Sequence, residues 1–181
     1  MKTRLFFLSL FSMVIVSMAS GQRLEVPAGY RSLYFDREDY ISADGDTTVS
    51  LYEKGGKFTP ERRDPGEVFG FRKMGKDLYP FLKREFPDLT SPKDIMKFNG
   101  VILSMWVDNK GNIVSFFYWL KSNNILYLYP DMEKHLYNFA MSIKEEGLKK
   151  YDIYALNIDS YCILNYNFTY IYRAFVFPEK E

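Results

Sequence analysis

FNGVILSMWVDNKGNIVSFFYWL, residues Phe98 to Leu120, holds two apolar runs around a polar centre. From Val101 to Asp108 the side chains alternate, placing Val101, Leu103, Met105 and Val107 on one face and Ile102, Ser104, Trp106 and Asp108 on the other. Asn109, Lys110 and Gly111 are turn formers, and Gly111 is free to take the positive φ that a bulged hairpin connection needs. Ile113 to Lys121 is then the returning strand. Large apolar groups lie on both faces of this hairpin, among them Trp106, Phe116, Tyr118 and Leu120. Something therefore covers the second face, or that face is a contact surface.

Outward from the hairpin the pattern changes to helical. Upstream, Leu78, Phe81, Leu82 and Phe86 recur at helix spacing between Gly75 and Phe86, with Pro80 expected in the first turn and Pro87 closing the segment. Ser91-Pro92-Lys93-Asp94 combines a capping serine, a proline at the first helical position and an acidic residue three after the cap, and predicts a second short helix to about Phe98. Downstream, Met132, Leu136, Phe139, Ala140 and Ile143 form the stripe of a helix over Pro130–Glu146 packed on a sheet. Tyr161 to Val176 reads as one long strand, with Cys162, Leu164, Tyr166, Phe168, Tyr170, Tyr172 and Ala174 on one side and Asn165, Asn167, Thr169 and Arg173 on the other.

The N-terminal part is less regular. Residues 22–75 lack sustained periodicity and are punctuated by glycines and prolines; Asp44-Gly45 is a turn dipeptide and Thr47–Tyr52 a short strand. Asp36, Glu38, Asp39, Asp44 and Asp46 do not have the spacing of a calcium loop. Before Gln22, a basic start (Lys2, Arg4), an apolar Leu5–Val16 and small residues from Ser17 to Gly21 read as a secretory signal peptide over residues 1–21, removed on export. The apolar run is shorter than the roughly 20 residues of a membrane span. The expected product is exported, periplasmic or extracellular, with no stable membrane span after cleavage.

Charge and cysteine content narrow the function classes. The chain has 24 Lys+Arg and 23 Asp+Glu; residues 1–21 hold two of the basic residues and none of the acidic ones, so 22 basic face 23 acidic in the remainder. Such a balance carries no electrostatic footprint for nucleic acid. With Cys162 as its one cysteine, an exported chain folds without an internal disulfide and relies on packing. Aromatic residues make up 18% of the chain, which fits either a core filled by large rings or a tyrosine-rich surface that stacks on sugars or grips a peptide.

Little in the sequence carries chemistry. His135, the sole imidazole, borders the apolar stripe of the long helix, and a pairing with Cys162 lacks a third orienting group. One His and one Cys fall short of a zinc site, no glycine-rich phosphate loop is present, and no cofactor or metal is indicated. Composition and periodicity define an α+β domain: a small antiparallel sheet with a crossing helix on one face.

The runs FLKREFPDL, FNGVILSMWVDNKGNIVSF, PDMEKHLYNFAMSI and NYNFTYIY, in this order over residues 76–175, resemble the C-terminal domain of TonB-type proteins. In that family a glycine precedes a strand ending in a V-D-x-x-G-x-I turn, and a helix crosses the sheet before the last strand. The resemblance implies a TonB C-terminal-like domain over residues 76–181 behind an irregular extension over 22–75. It departs from the family where KKYDIYALNID stands in place of a tryptophan-lysine-proline segment, and it lacks the transducer's anchor and proline-rich spacer. It further implies a binding or adaptor module rather than an enzyme. An extended peptide would add to a sheet edge at Asn165, Tyr166, Asn167, Thr169 and Tyr170. The alternative is a glycan-binding protein or hydrolase with its site between the extension and the sheet; an exported inhibitor or immunity protein acting through its surface is a third class.

Overall fold

The computed structural model describes residues 22–24, 31–41, 45–61, 71–89, 91–146 and 160–176. The expected signal peptide at 1–21 lies outside them. The chain is an α+β fold, and its described residues build a six-stranded antiparallel sheet in the order β1-β2-β3-β5-β4-β6. The strands are β1 (Gln22–Leu24), β2 (Phe35–Ile41), β3 (Thr47–Glu53), β4 (Val101–Asp108), β5 (Ile113–Leu120) and β6 (Tyr161–Asn167). The helices are α1 (Phe71–Glu85), α2 (Pro92–Met96), α3 (Met132–Glu146) and α4 (Phe168–Val176), with a 3-10 turn at Asn123–Tyr127.

β4 and β5 form the hairpin that the sequence signals, lying between β3 and β6. Asp108 organises its turn: Oδ1 accepts from the amides of Lys110 (2.9 Å) and Asn112 (2.8 Å), Oδ2 accepts from Asn112 Nδ2 (2.9 Å), and Gly111 follows at φ 80°. A bulge at Val114 shifts the register, so Trp106 faces Ser115 while Val107 faces Ile113. Ile113 and Phe116, three apart, therefore share one face, where a strict alternation would separate them. That face carries Val101, Leu103, Met105 and Val107 against Leu120, Tyr118, Phe116 and Ile113, all buried.

The helices cover this face. On α3, Met132, Leu136, Phe139, Ala140 and Ile143 are buried, the stripe read from the sequence. The Tyr118 hydroxyl donates to the Leu136 carbonyl at 2.7 Å and Lys144 Nζ meets Glu53 Oε1 at 2.7 Å, so α3 is tied to β5 and β3. Burial and the nearby Glu85 hold the Tyr118 hydroxyl well above the usual tyrosine range, so it stays a donor. Phe168 packs edge-on against Phe86, Tyr118 and Phe139 and stacks on Phe98, with centroids 5.1–6.3 Å apart. These rings fill the core, which accounts for them by packing.

Three expectations need correction. Within residues 22–75 the expected short strand at Thr47–Tyr52 is present as β3, but the described residues hold β1 and β2 as well, and all three belong to the same sheet as the hairpin, with β3 paired to β5 over Val49–Tyr52. Pro80 stands in the interior of α1 rather than its first turn, because the helix starts at Phe71. Burial of Leu78, Leu82 and Phe86 along one side offsets the lost main-chain bond. The expected strand 161–176 ends at Asn167, and α4 follows directly. Phe168, Ile171 and Tyr172 are buried at helix spacing while Tyr170 is 64% exposed; a strand would bury Tyr170 and expose Ile171.

Candidate functional site

Among the described residues, helices pack on one face of the sheet and none on the other, and the candidate surface is the latter together with the β6 edge. β6 pairs with β4 from Ile102↔Asn167 to Asp108↔Tyr161, and among the described residues no strand pairs with its outer side. Tyr161, Ile163 and Asn165 point to the helix-free face, opposite Asp108, Trp106 and Ser104. There the Ser104 hydroxyl, 3% exposed, donates to Asn165 Oδ1 at 2.7 Å. A buried hydroxyl thus fixes the rotamer of an exposed edge residue.

The residues expected at the edge separate into three environments. Asn165 is exposed on β6. Tyr166, 2% exposed, lies on the helix-covered face opposite Leu103, so its ring belongs to the core. Asn167 ends the strand and caps α4: its Oδ1 accepts from the Thr169 amide (2.9 Å) and hydroxyl (2.6 Å). Thr169 is buried under that cap, and Tyr170 is exposed on α4. The strand and the helix share a joint here, and only Asn165 keeps both an edge position and exposure.

A second cluster occupies the same face at the β2–β3 end. Tyr40 donates to Glu38 Oε2, Lys57 Nζ lies 3.5 Å from Glu38, and the same ammonium sits 4.9 Å from the Tyr52 ring centre. Tyr52 stacks on Phe117 at 5.4 Å. The hydrogen bond to Glu38, with partial burial, pushes the Tyr40 hydroxyl up to about 12. Between these clusters the chain from Gly55 onward crosses the sheet, and Phe58 sits edge-on against Trp106 (5.9 Å) and Tyr161 (5.3 Å). Sequence reasoning missed this crossing, because Phe58 is a single ring in a glycine- and proline-rich run.

The titratable groups on the helical side are engaged in structure. Arg37 and Asp39, with side chains 4% and 5% exposed, form a bidentate pair at 2.6 and 2.7 Å, and Arg37 also donates to Asn123 Oδ1 at 2.8 Å. His135 Nδ1 lies 3.2 Å from Glu85 Oε2, which also accepts from Asn138 Nδ2 at 3.3 Å. Ser142 accepts from Arg84 and donates to the Asn138 carbonyl. Cys162 is buried on β6 opposite Val107, while His135 turns to Glu85. Among the described residues no group of three His, Cys, Asp or Glu is placed to hold a metal ion.

The fold defines a small α+β protein with an antiparallel sheet. No protein-family model matches the sequence, and no curated protein does, so the resemblance to the TonB domain rests on the quoted residues alone. A similar solved structure is that of a DUF5043 family protein from Bacteroides uniformis, 14% identical, covering 81% of this chain and 84% of that one at a TM-score of 0.44.

Proposed function

We propose that this protein is an exported, non-enzymatic binding module that takes an extended peptide by strand addition at the outer edge of β6. The observation that supports the reading most is the seven-residue strand Tyr161–Asn167, placed last in the sheet order and carrying an exposed Asn165 held by Ser104. A peptide added there gains main-chain hydrogen bonds that are independent of its sequence, and side chains on the helix-free face supply selectivity. Strand addition is also the mode implied by the sequence resemblance. Export rests on the signal-like residues 1–21, and no helix among the described residues is long and apolar enough to cross a membrane.

The test is to pan phage-displayed random octapeptides against the purified chain lacking residues 1–21, then to map the enriched peptides by amide hydrogen exchange. Enrichment with added protection of residues 161–167 supports the reading. Enrichment that protects another surface, or retention on a glycan array with no peptide enriched, refutes it, the latter in favour of glycan binding.

A further inference from the structure

We infer that the notch between Trp106 and Tyr161 is a receptor site for an aromatic side chain, and that the chain fills it with its own Phe58 as a releasable plug. The strap that carries Phe58 is anchored at its start: the Lys54 amide donates to the Tyr34 carbonyl at 3.1 Å and the Gly55 amide to Asp36 Oδ2 at 3.2 Å. The Gly56 amide also bonds the Asp36 carboxylate, and beyond it residues 57–61 make no main-chain hydrogen bond among the described residues. Among the described residues Lys57 and Phe58 hold them down, through the Tyr52 ring and Glu38 in one case and the two aromatic rings in the other. Gly55 and Gly56, at φ 109° and 106° with open space where a Cβ would stand, form a pivot at the strap's base. A segment with few buried contacts and no backbone bonds opens at low free-energy cost.

The position of the notch gives it a ligand. Tyr161 and Trp106 are diagonal neighbours across the β4–β6 pair, since Tyr161 faces Asp108 and Trp106 faces Ile163. A strand added outside β6 lies about 4.8 Å from it, and its side chains on the helix-free face project beside Tyr161 and Ile163. An aromatic residue there enters the space Phe58 now takes. The notch stands on the ring geometry alone; its use by an added peptide rests on the function proposed above.

The probe is the strap itself supplied in trans, the peptide GGKFTPE of residues 55–61, added to the Phe58→Ala protein in a Trp119→Phe background so that Trp106 is the single indole. Two lost edge-on ring contacts predict roughly tenfold tighter binding to the Phe58→Ala protein than to the protein retaining Phe58, read from the Trp106 indole resonance. The peptide GGKATPE should lose that advantage. Equal binding to both proteins, or binding indifferent to the ring, overturns the inference. Phe58→Leu, which keeps apolar bulk without a ring, takes the place of the alanine variant if that one unfolds. Octapeptides enriched on the Phe58→Ala protein should carry an aromatic residue more often than those enriched with Phe58 present, and equal frequencies count against the plug. Ring-dependent binding of GGKFTPE without any peptide protection of β6 sinks the edge reading and leaves the notch standing.

Discussion

Asp108 shows how one side chain sets the geometry of the central hairpin. Partial burial raises its carboxyl, but hydrogen bonds from the Asn112 side chain, the Asn112 amide and the Lys110 amide outweigh that and hold it below the usual carboxylate range. A group depressed in the folded state stabilises above its unfolded pKa, and that contribution is lost as pH falls through the folded value. The hairpin should therefore weaken in acid, below about pH 4. Asp108→Ala should cost about 1–2 kcal/mol at neutral pH and flatten this acid dependence, as denaturant melts at several pH values would register. Gly100 makes a complementary case: at φ 91° its added Cβ would strike Lys121 Cβ, while its carbonyl accepts from the Lys121 amide at 2.9 Å. Gly100→Ala combines a strained φ with a backbone-side clash, so a loss of about 2 kcal/mol or more is expected in the same assay.

At the scale of elements, legibility followed whether the buried face was apolar. β4 and α3 were readable because their core positions hold Val, Leu, Met, Phe, Ala and Ile at a single period, whereas β5 keeps its period only beyond the bulge at Val114. β2 was not, since its inward face runs Phe35, Arg37, Asp39, and a closed ion pair there looks in sequence like a solvated stretch. Asp39→Ala leaves the buried guanidinium without its bidentate partner and should cost about 3 kcal/mol or more, whereas replacing Arg37 and Asp39 together by Met and Leu should recover most of it. The β6–α4 joint was misread because apolar residues at both alternating and helical positions satisfy either period; the cap at Asn167 decides between them. Asn167→Ala should lower stability by about 1 kcal/mol through α4, with amide exchange rising first at the start of that helix. An edge at Asn165–Thr169 was implied by the family resemblance alone; among the described residues β6 is last in the sheet order, Tyr166 is in the core, and Thr169 and Tyr170 lie on α4.

Across the described residues, three N-terminal strands and a C-terminal β–α–β crossover complete one sheet, helices cover one side of it, and β6 stands last in its order. Sequence spacing speaks of neighbours along the chain, so the pairing of β3 with β5, between residues about seventy apart, had no local signal. The central claim, carried by the function proposed above, is that β6 takes no strand on its outer side while β4 is paired on both; among the described residues β6 is last in the sheet order. Residue-resolved amide hydrogen exchange of the free protein tests it most directly. Slow exchange at every amide of the β4 interior, with alternating slow and fast amides along 161–167, is the predicted result. Uniformly slow exchange along β6 would mean that its outer side is already bonded, and would contradict both the edge and the peptide recognition proposed for it.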